Sequence, residues 1–161
     1  MNDAKTYELR VAGLTRQLPL CPINDKTSIA AFIMFSDVEL TIACATELLK
    51  KVPEHDVILP AESKGIPLAY EMSRQSGIKY ILARKSAKLY MYNPIGVDVK
   101  SITTARLQTL YLDQHDLEYL NGKRVLVVDD VISTGESLNA LEELVRKAGG
   151  TIAGRAAVLA E

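Results

Sequence analysis

The sequence predicts an α/β fold: a doubly wound parallel sheet with a small N-terminal region beside it. Three observations carry the prediction. Residues 56–59, 78–83, 124–128 and 151–159 are short runs dominated by aliphatic side chains, without the strict polar alternation of a half-exposed strand. Segments of helical period separate most of them, the order that makes parallel strands with crossover helices. Strands apolar on both faces must also be covered on both faces. The 161 residues read as a single domain, with residues 1–35 as the N-terminal region and 36–161 as the core.

Residues 7–14 and 29–35 are apolar and rich in β-formers, but Pro19 and Pro22 interrupt the stretch, which predicts a small irregular subregion. Ser36-Asp37-Val38-Glu39 has the form of a capping box, Ser36 capping and Glu39 reaching back. The helix it opens is expected to bury Val38, Ile42, Ala45 and Leu49 and to close by Pro53. A strand at 56–59 leads through Pro60 into a loop holding Lys64 and Gly65. A helix through Tyr70 then ends at Ser76-Gly77, before the strand 78–83. Residues 84–105 have no clear period, contain Asn93-Pro94 and Gly96, and carry Arg84, Lys85, Lys88 and Lys100 against Asp98 alone. Residues 90–104 are long for a connection and read as a lid. Residues 101–112 read as an alternating strand. Asn121-Gly122 turns into the strand 124–128. Gly135 opens a helix with the stripe Leu138, Leu141, Leu144, Val145 and Ala148, supported by Glu142–Arg146 and Glu143–Lys147 and stopped at Gly149-Gly150. The last strand, 151–159, runs almost to the end of the chain, leaving room for a further C-terminal piece.

Composition narrows the function. Hydrophobic residues are 48% and charged residues 24%, a globular balance, and the net charge is −1. That argues against nucleic-acid coating and against binding to an anionic membrane. The longest uncharged stretch, 27–36, is far short of the roughly 18 residues of a membrane span. The start, Met-Asn-Asp-Ala-Lys, has no apolar segment of a signal peptide, so a cytoplasmic location is expected. Cys21 and Cys44 have no metal-ligand spacing and read as reduced, buried and inert, which excludes structural zinc. His55 and His115 sit in polar stretches and read as surface residues.

Two loops at the carboxyl ends of predicted strands carry chemistry, where open α/β sheets bind ligands. In Asp129-Asp130-Val131-Ile132-Ser133-Thr134-Gly135-Glu136-Ser137, two adjacent carboxylates end an aliphatic strand. Ser133, Thr134, Gly135, Glu136 and Ser137 then offer backbone N–H groups, three hydroxyls and a helix N-terminus to one anion: a phosphate cradle. The acidic pair suits vicinal hydroxyls or hydrated Mg²⁺ on the same ligand. Phosphate at one end and a diol at the other describe a phosphorylated pentose. There is no Gly-x-x-x-x-Gly-Lys-[Ser/Thr] loop, no Gly-x-Gly-x-x-Gly and no Gly-x-Ser-x-Gly elbow.

Residues 128–137 resemble the phosphoribosyl pyrophosphate (PRPP) motif of type I phosphoribosyltransferases. The likeness extends from about Ser36 to Leu159 and is nearest to the adenine/xanthine branch. Glu62-Ser63-Lys64-Gly65, Arg84-Lys85-x-x-Lys88-Leu89 and Ser101-Ile102-Thr103-Thr104 match that branch too. The resemblance implies the type I phosphoribosyltransferase fold with residues 1–35 as a hood over the base site, an Mg²⁺-dependent purine transferase with adenine as first choice, and a homodimer. It implies that Asp129 and Asp130 hold the ribose hydroxyls and that residues 133–137 anchor the 5′-phosphate. Val131 would touch the purine. Ser63, Lys64 and Gly65 would form the pyrophosphate loop, which in the family often holds a cis peptide. Arg84, Lys85 and Lys88 would be the basic set that family dimers aim at pyrophosphate, partly across the subunit interface. Mg²⁺ would arrive on PRPP, with Asp129 and Asp130 the carboxylates facing it. Two departures stand out: Thr104 lies where adenine members often have Glu and xanthine members Lys, and Glu136 where the family often has Gly. In the hood, residues 14–23 offer mainly backbone groups, with Arg16 and Gln17, to discriminate the base. The rivals are a nucleotide-sensing regulator, for whose DNA-binding element the hood leaves little room, and enzymes for xanthine, hypoxanthine-guanine or orotate.

Overall fold

The structure, a computed structural model, describes residues 5–99 and 108–160. Its N-terminal region is more regular than Pro19 and Pro22 lead one to expect. β1 (Thr6–Val11), β2 (Leu14–Pro22) and β3 (Ser28–Ala30) form an antiparallel sheet in that order. Ala12 and Gly13, both at positive φ (51° and 76°), make the two-residue turn that joins β1 to β2. Pro19 pairs with Thr6 at the end of the β1 ladder and Pro22 ends β2, so neither breaks the interior of a ladder.

α1 (Val38–Leu49) departs from expectation at its start and on its buried face. Asp37, not Ser36, is the cap: its carboxylate accepts from the Leu40 N–H at 3.0 Å, while Ser36 sits at φ 68°. Glu39 reaches Arg16 instead of the cap. The buried residues are Leu40, Thr41, Cys44 and Ala45, whereas Val38 and Ile42 face outward. Apolar side chains occur almost all round this helix, so their spacing alone selects no face. Packing against Phe32, Met34 and the next helix selects it.

β4 (Val57–Pro60), β7 (Arg124–Ile132) and β8 (Thr151–Ala160) form a parallel sheet in the order β4-β7-β8. Residues 78–83 run parallel to β4 through bridges at Ile58–Tyr80 and Ala61–Ala83. The strands alternate between two cores, as the two-residue period requires. Val57, Leu59, Val125 and Val127 pack on one face with Leu138, Leu141, Leu144 and Val145 of α4 (Glu136–Lys147). Ile58, Leu126 and Val128 pack on the other with α1, α2 (Ile66–Ser76) and the hood residues Leu18, Phe32 and Met34. Gly77 at φ 73° ends α2, and both α4 ion pairs form. This is the doubly wound α/β arrangement that the aliphatic runs predict.

Between 84 and 123 the alternating run expected over 101–112 is a strand at 108–112, and the strand 95–99 and the helix 114–120 are elements that periodicity does not reveal. β5 (Ile95–Val99) and β6 (Gln108–Leu112) form an antiparallel pair, and α3 (Gln114–Leu120) follows, capped by Asp113. Residues 95–99, expected in a lid, are therefore a paired strand whose Val97 and Val99 enter the core. Lys100 and the 101–104 segment, Thr104 included, lie outside the described residues. Cys44 is buried, but Cys21 is exposed. His55 is buried, not superficial, with Nδ1 2.8 Å from the Pro53 carbonyl.

Candidate functional site

The ends of β4 and β7 and the N-terminus of α4 converge with the hood on one cleft of about 570 Å³. Its walls are residues 29–33 of the hood, the loop Glu62-Ser63-Lys64, Lys85, the Asp129-Asp130 pair and Val131. Ser133 and Ser137 close one end, where a smaller cavity of about 110 Å³ lies within residues 131–137. The sequence separates these groups by up to a hundred residues; the parallel sheet brings them together at the carboxyl edge of its strands.

Asp129 and Asp130 lie inside β7, which continues through Ile132 instead of ending at the acidic pair. Successive strand residues point to opposite faces, so the two carboxylates are not equivalent. Asp130 is 3% exposed, and its Oδ2 has no hydrogen-bond partner among the described residues. Asp129 Oδ1 accepts from the Asp130 N–H at 2.9 Å. Burial, with the neighbouring Asp130 carboxyl adding to it, pushes the Asp129 carboxyl up from 3.8 to about 7, and the Lys64 charge opposes the shift. An orphaned buried oxygen beside a carboxyl that resists ionising is a site prepared for a ligand carrying hydroxyls or positive charge.

Gly135, at φ 77°, turns the chain into α4 as its N-cap, a conformation costly for any residue with a side chain. Ser133, Thr134, Gly135, Glu136 and Ser137 all line the small cavity, at the N-terminus of a helix whose dipole favours an anion. Glu136 stands in the first turn. Val131 borders both cavities.

On the opposite wall the peptide Glu62–Ser63 is cis, and Gly65 packs beneath Val128 and Asp129, where a Cβ would sit about 3.4 Å from the Val128 carbonyl oxygen. The three cations expected at pyrophosphate are placed differently. Lys85 borders the cleft. Arg84 Nε reaches Glu62 Oε2 at 3.2 Å, and its Nη1 donates to the Tyr90 hydroxyl at 2.6 Å. Lys88 is outside the cleft lining, with Nζ 2.6 Å from Ser86 Oγ. Arg16 and Gln17 are occupied elsewhere: Arg16 binds Asp37 and Glu39, and Gln17 bonds Thr6 and Glu8. The hood instead meets the cleft through Ile29, Ala30, Ala31, Phe32 and Ile33. Sequence reasoning passed over Glu62, although a carboxylate directly before a Ser-Lys-Gly loop was a visible signal.

Among the described residues no three His, Cys, Asp or Glu side chains cluster as a metal cage. Two adjacent carboxylates, one with an orphaned oxygen, fit Mg²⁺ delivered with substrate oxygens.

The phosphoribosyl transferase domain family matches residues 37–161, most of the chain. The chain belongs to that family. The adenine phosphoribosyltransferase of Rhodococcus jostii is 35% identical over 127 residues, 78% of this chain and 69% of that protein. The purine biosynthesis transcriptional repressor PurR of Bacillus subtilis is 28% identical over 101 residues, 63% of this chain. The chain spans 35% of the repressor's length, 52% of the adenine phosphoribosyltransferase of Sorangium cellulosum and 84% of that of Saccharopolyspora erythraea. The crystal structure of Saccharomyces cerevisiae adenine phosphoribosyltransferase, complexed with an imino-altritol bisphosphate and adenine, shares the fold at a TM-score of 0.71. Its sequence identity is 20%, and the match covers 89% of this chain and 84% of that one. In this phosphoribosyl transferase domain, the hood, the acidic pair and the cradle all border one cleft.

Proposed function

We propose that the protein transfers the phosphoribosyl group of PRPP to a purine ring nitrogen, adenine being the preferred base, and releases pyrophosphate. One observation carries the reading: the Asp129-Asp130 pair, Ser133 and Ser137 line the same cleft as Ser63 and Lys64, so that a single ligand can meet the acidic pair, the start of α4 and the Ser63-Lys64 loop together. The 5′-phosphate sits in the cradle, held by backbone N–H groups and the Ser133, Thr134 and Ser137 hydroxyls. Asp129 and Asp130 hold the ribose hydroxyls. Lys64 and Lys85 neutralise pyrophosphate as the C1–oxygen bond breaks and its electron pair leaves with the phosphate oxygen. Asp129 and Asp130 would face Mg²⁺ carried by PRPP, which would supply further charge neutralisation at the leaving group. The ribose carbon acquires oxocarbenium character, stabilised at a distance by the acidic pair. The purine nitrogen, aligned against Val131 and the apolar hood, forms the new bond and gives its proton to water.

The work is done as a homodimer in the cytoplasm. Apolar side chains of Phe35, Val38, Ile42 and Tyr70 surround an exposed groove of about 400 Å³, a surface suited to a second copy. Among the described residues no helix is long and apolar enough to cross a membrane.

The test is pyrophosphate release from PRPP and Mg²⁺ with adenine, hypoxanthine, guanine and xanthine in parallel. Adenine should react fastest, and faster turnover of another base would overturn the adenine assignment. The likeness to the repressor supports a second reading, nucleotide sensing, which tight PRPP binding without turnover of any base would establish.

A further inference from the structure

Given the phosphoribosyl transfer proposed above, on which this rests, we infer that Gln108 binds the sugar: its carboxamide N–H donates to a ribose hydroxyl of PRPP and supplies the donor that the Asp129-Asp130 pair lacks. Gln108 opens β6 and pairs with Val99, the last residue of β5. Side chains of a cross-strand pair share a face, and the face alternates along each strand. Val99 and the next pair on that face, Val97 and Leu110, are buried in the core that packs on α4. Gln108 therefore ends that row where the core opens into the cleft, which it borders together with Val99 and Leu110. The intervening pair confirms the face: Thr109 and Asp98 turn the other way, and Thr109 Oγ1 donates to Asp98 Oδ1 at 2.7 Å. The Gln108 side chain is exposed and makes no hydrogen bond among the described residues.

The other polar side chains of the cleft are the acidic pair, the cradle serines, the 62–64 loop and Lys85. Gln108 is the remaining one, and its neighbours place it at the sugar. Its wall belongs to the core on α4, whereas the proposed purine contacts, Val131 and the hood residue Phe32, pack on the opposite core. It shares the main cleft with Asp129 and Ser137 but not the small cavity within 131–137, so it lies beyond the 5′-phosphate. The chemistry fits that position. A ribose hydroxyl has one proton to give and lone pairs to fill, and an ionised carboxylate accepts that proton but has none to return. A carboxamide provides the missing donor without adding charge beside two carboxylates. Pyrophosphate is matched instead by the cations Lys64 and Lys85.

The experiment compares wild type, Gln108→Leu and Gln108→Glu. Affinities for PRPP with Mg²⁺, ribose 5-phosphate, inorganic phosphate and pyrophosphate are measured for each, with KM for adenine and Tm. Gln108→Leu should weaken PRPP and ribose 5-phosphate alike, about three- to tenfold, as expected for one neutral hydrogen bond. Inorganic phosphate, pyrophosphate and the KM for adenine should hold. Gln108→Glu keeps the shape and the acceptors but trades the N–H donor for a third carboxylate, and should lose at least as much. Both variants should keep the wild-type Tm, since the side chain is exposed. If Gln108→Leu does not fold, Gln108→Ala makes the same comparison. Unchanged ribose 5-phosphate affinity in Gln108→Leu would overturn the inference. Wild-type affinity in Gln108→Glu would overturn it too, because the contact would then need no donor. A loss confined to pyrophosphate or to adenine would overturn it by moving Gln108 to another arm of the site. Wild-type protein that binds neither PRPP nor ribose 5-phosphate would instead bring down the phosphoribosyl reading, and the sugar contact with it.

Discussion

Replacing Asp129 by Asn should stabilise the ligand-free protein at alkaline pH and leave it almost unchanged at acid pH. In the folded chain the Asp129 carboxyl sits at about 7, against 3.8 when unperturbed, through burial and the adjacent Asp130. At 1.36 kcal/mol per pH unit, that displacement corresponds to about 4 kcal/mol in favour of the protonated form. Asp129 borders an open cleft, so solvent screens part of this, and roughly 2 kcal/mol remains. The sign follows from linkage. The folded state holds this proton more tightly than the unfolded chain does. The cost of ionising Asp129 is therefore absent below about pH 4, grows between about 4 and 7, and is complete above 7. Asn keeps an oxygen for the Asp130 N–H and carries no charge. The variant should thus exceed the wild type by about 2 kcal/mol at pH 8, or roughly 4–8 °C in Tm, and match it near pH 4. Chemical denaturation at both pH values, in chelator and without PRPP, reads the difference directly. A variant less stable than wild type at pH 8, or a gap independent of pH, would refute the reasoning. With Asp130→Asn added, phosphoribosyl transfer should disappear while the fold persists, and unchanged turnover at saturating PRPP would remove the pair from the sugar site.

Thr134→Val should weaken PRPP by one to two decades, since a hydrogen bond to a charged group contributes about 1.5–3 kcal/mol, while adenine binding holds; equal losses for both ligands in calorimetry would place the cradle elsewhere. Arg16→Ala should carry a small stability cost by loosening β2 from the start of α1. Asp37 is held below the usual aspartate range, chiefly by Arg16, so that cost should be full above about pH 4 and vanish as pH falls below the aspartate range; a cost that persists in acid would point to lost packing. Leu141→Ala, at a fully buried position of α4, should cost about 2–5 kcal/mol in urea denaturation, and less than 1 kcal/mol would mean that this face of the sheet is loosely packed.

The sequence by itself determined the parallel sheet, because the strand runs are apolar on both faces and can be stable only between two layers. The turn at the start of α4 was legible in the same way: a glycine at a helix start, flanked by hydroxyls and preceded by two carboxylates, lies within nine consecutive residues. Family membership was legible in the same nine. Local sequence could not decide features set by distant partners. The buried face of α1 was undetermined because apolar residues nearly surround it, and only Phe32, Met34 and α2 choose among them. Residues 95–99 look like a lid by composition, yet pairing with 108–112 makes them a strand. Gly96 fits there because Thr109 and Tyr111 occupy the space a Cβ would need. The acidic pair was readable as a pair, but its two environments, one oxygen orphaned and the other carboxyl resisting ionisation, come from burial between β7 and its neighbours. The division of the basic cluster was equally hidden. Arg84 and Lys85 are adjacent in the chain and equal in charge, and they part in the fold: Glu62, 22 residues from Arg84, accepts from the guanidinium and from the Lys85 backbone N–H, while Lys85 and not Arg84 borders the cleft.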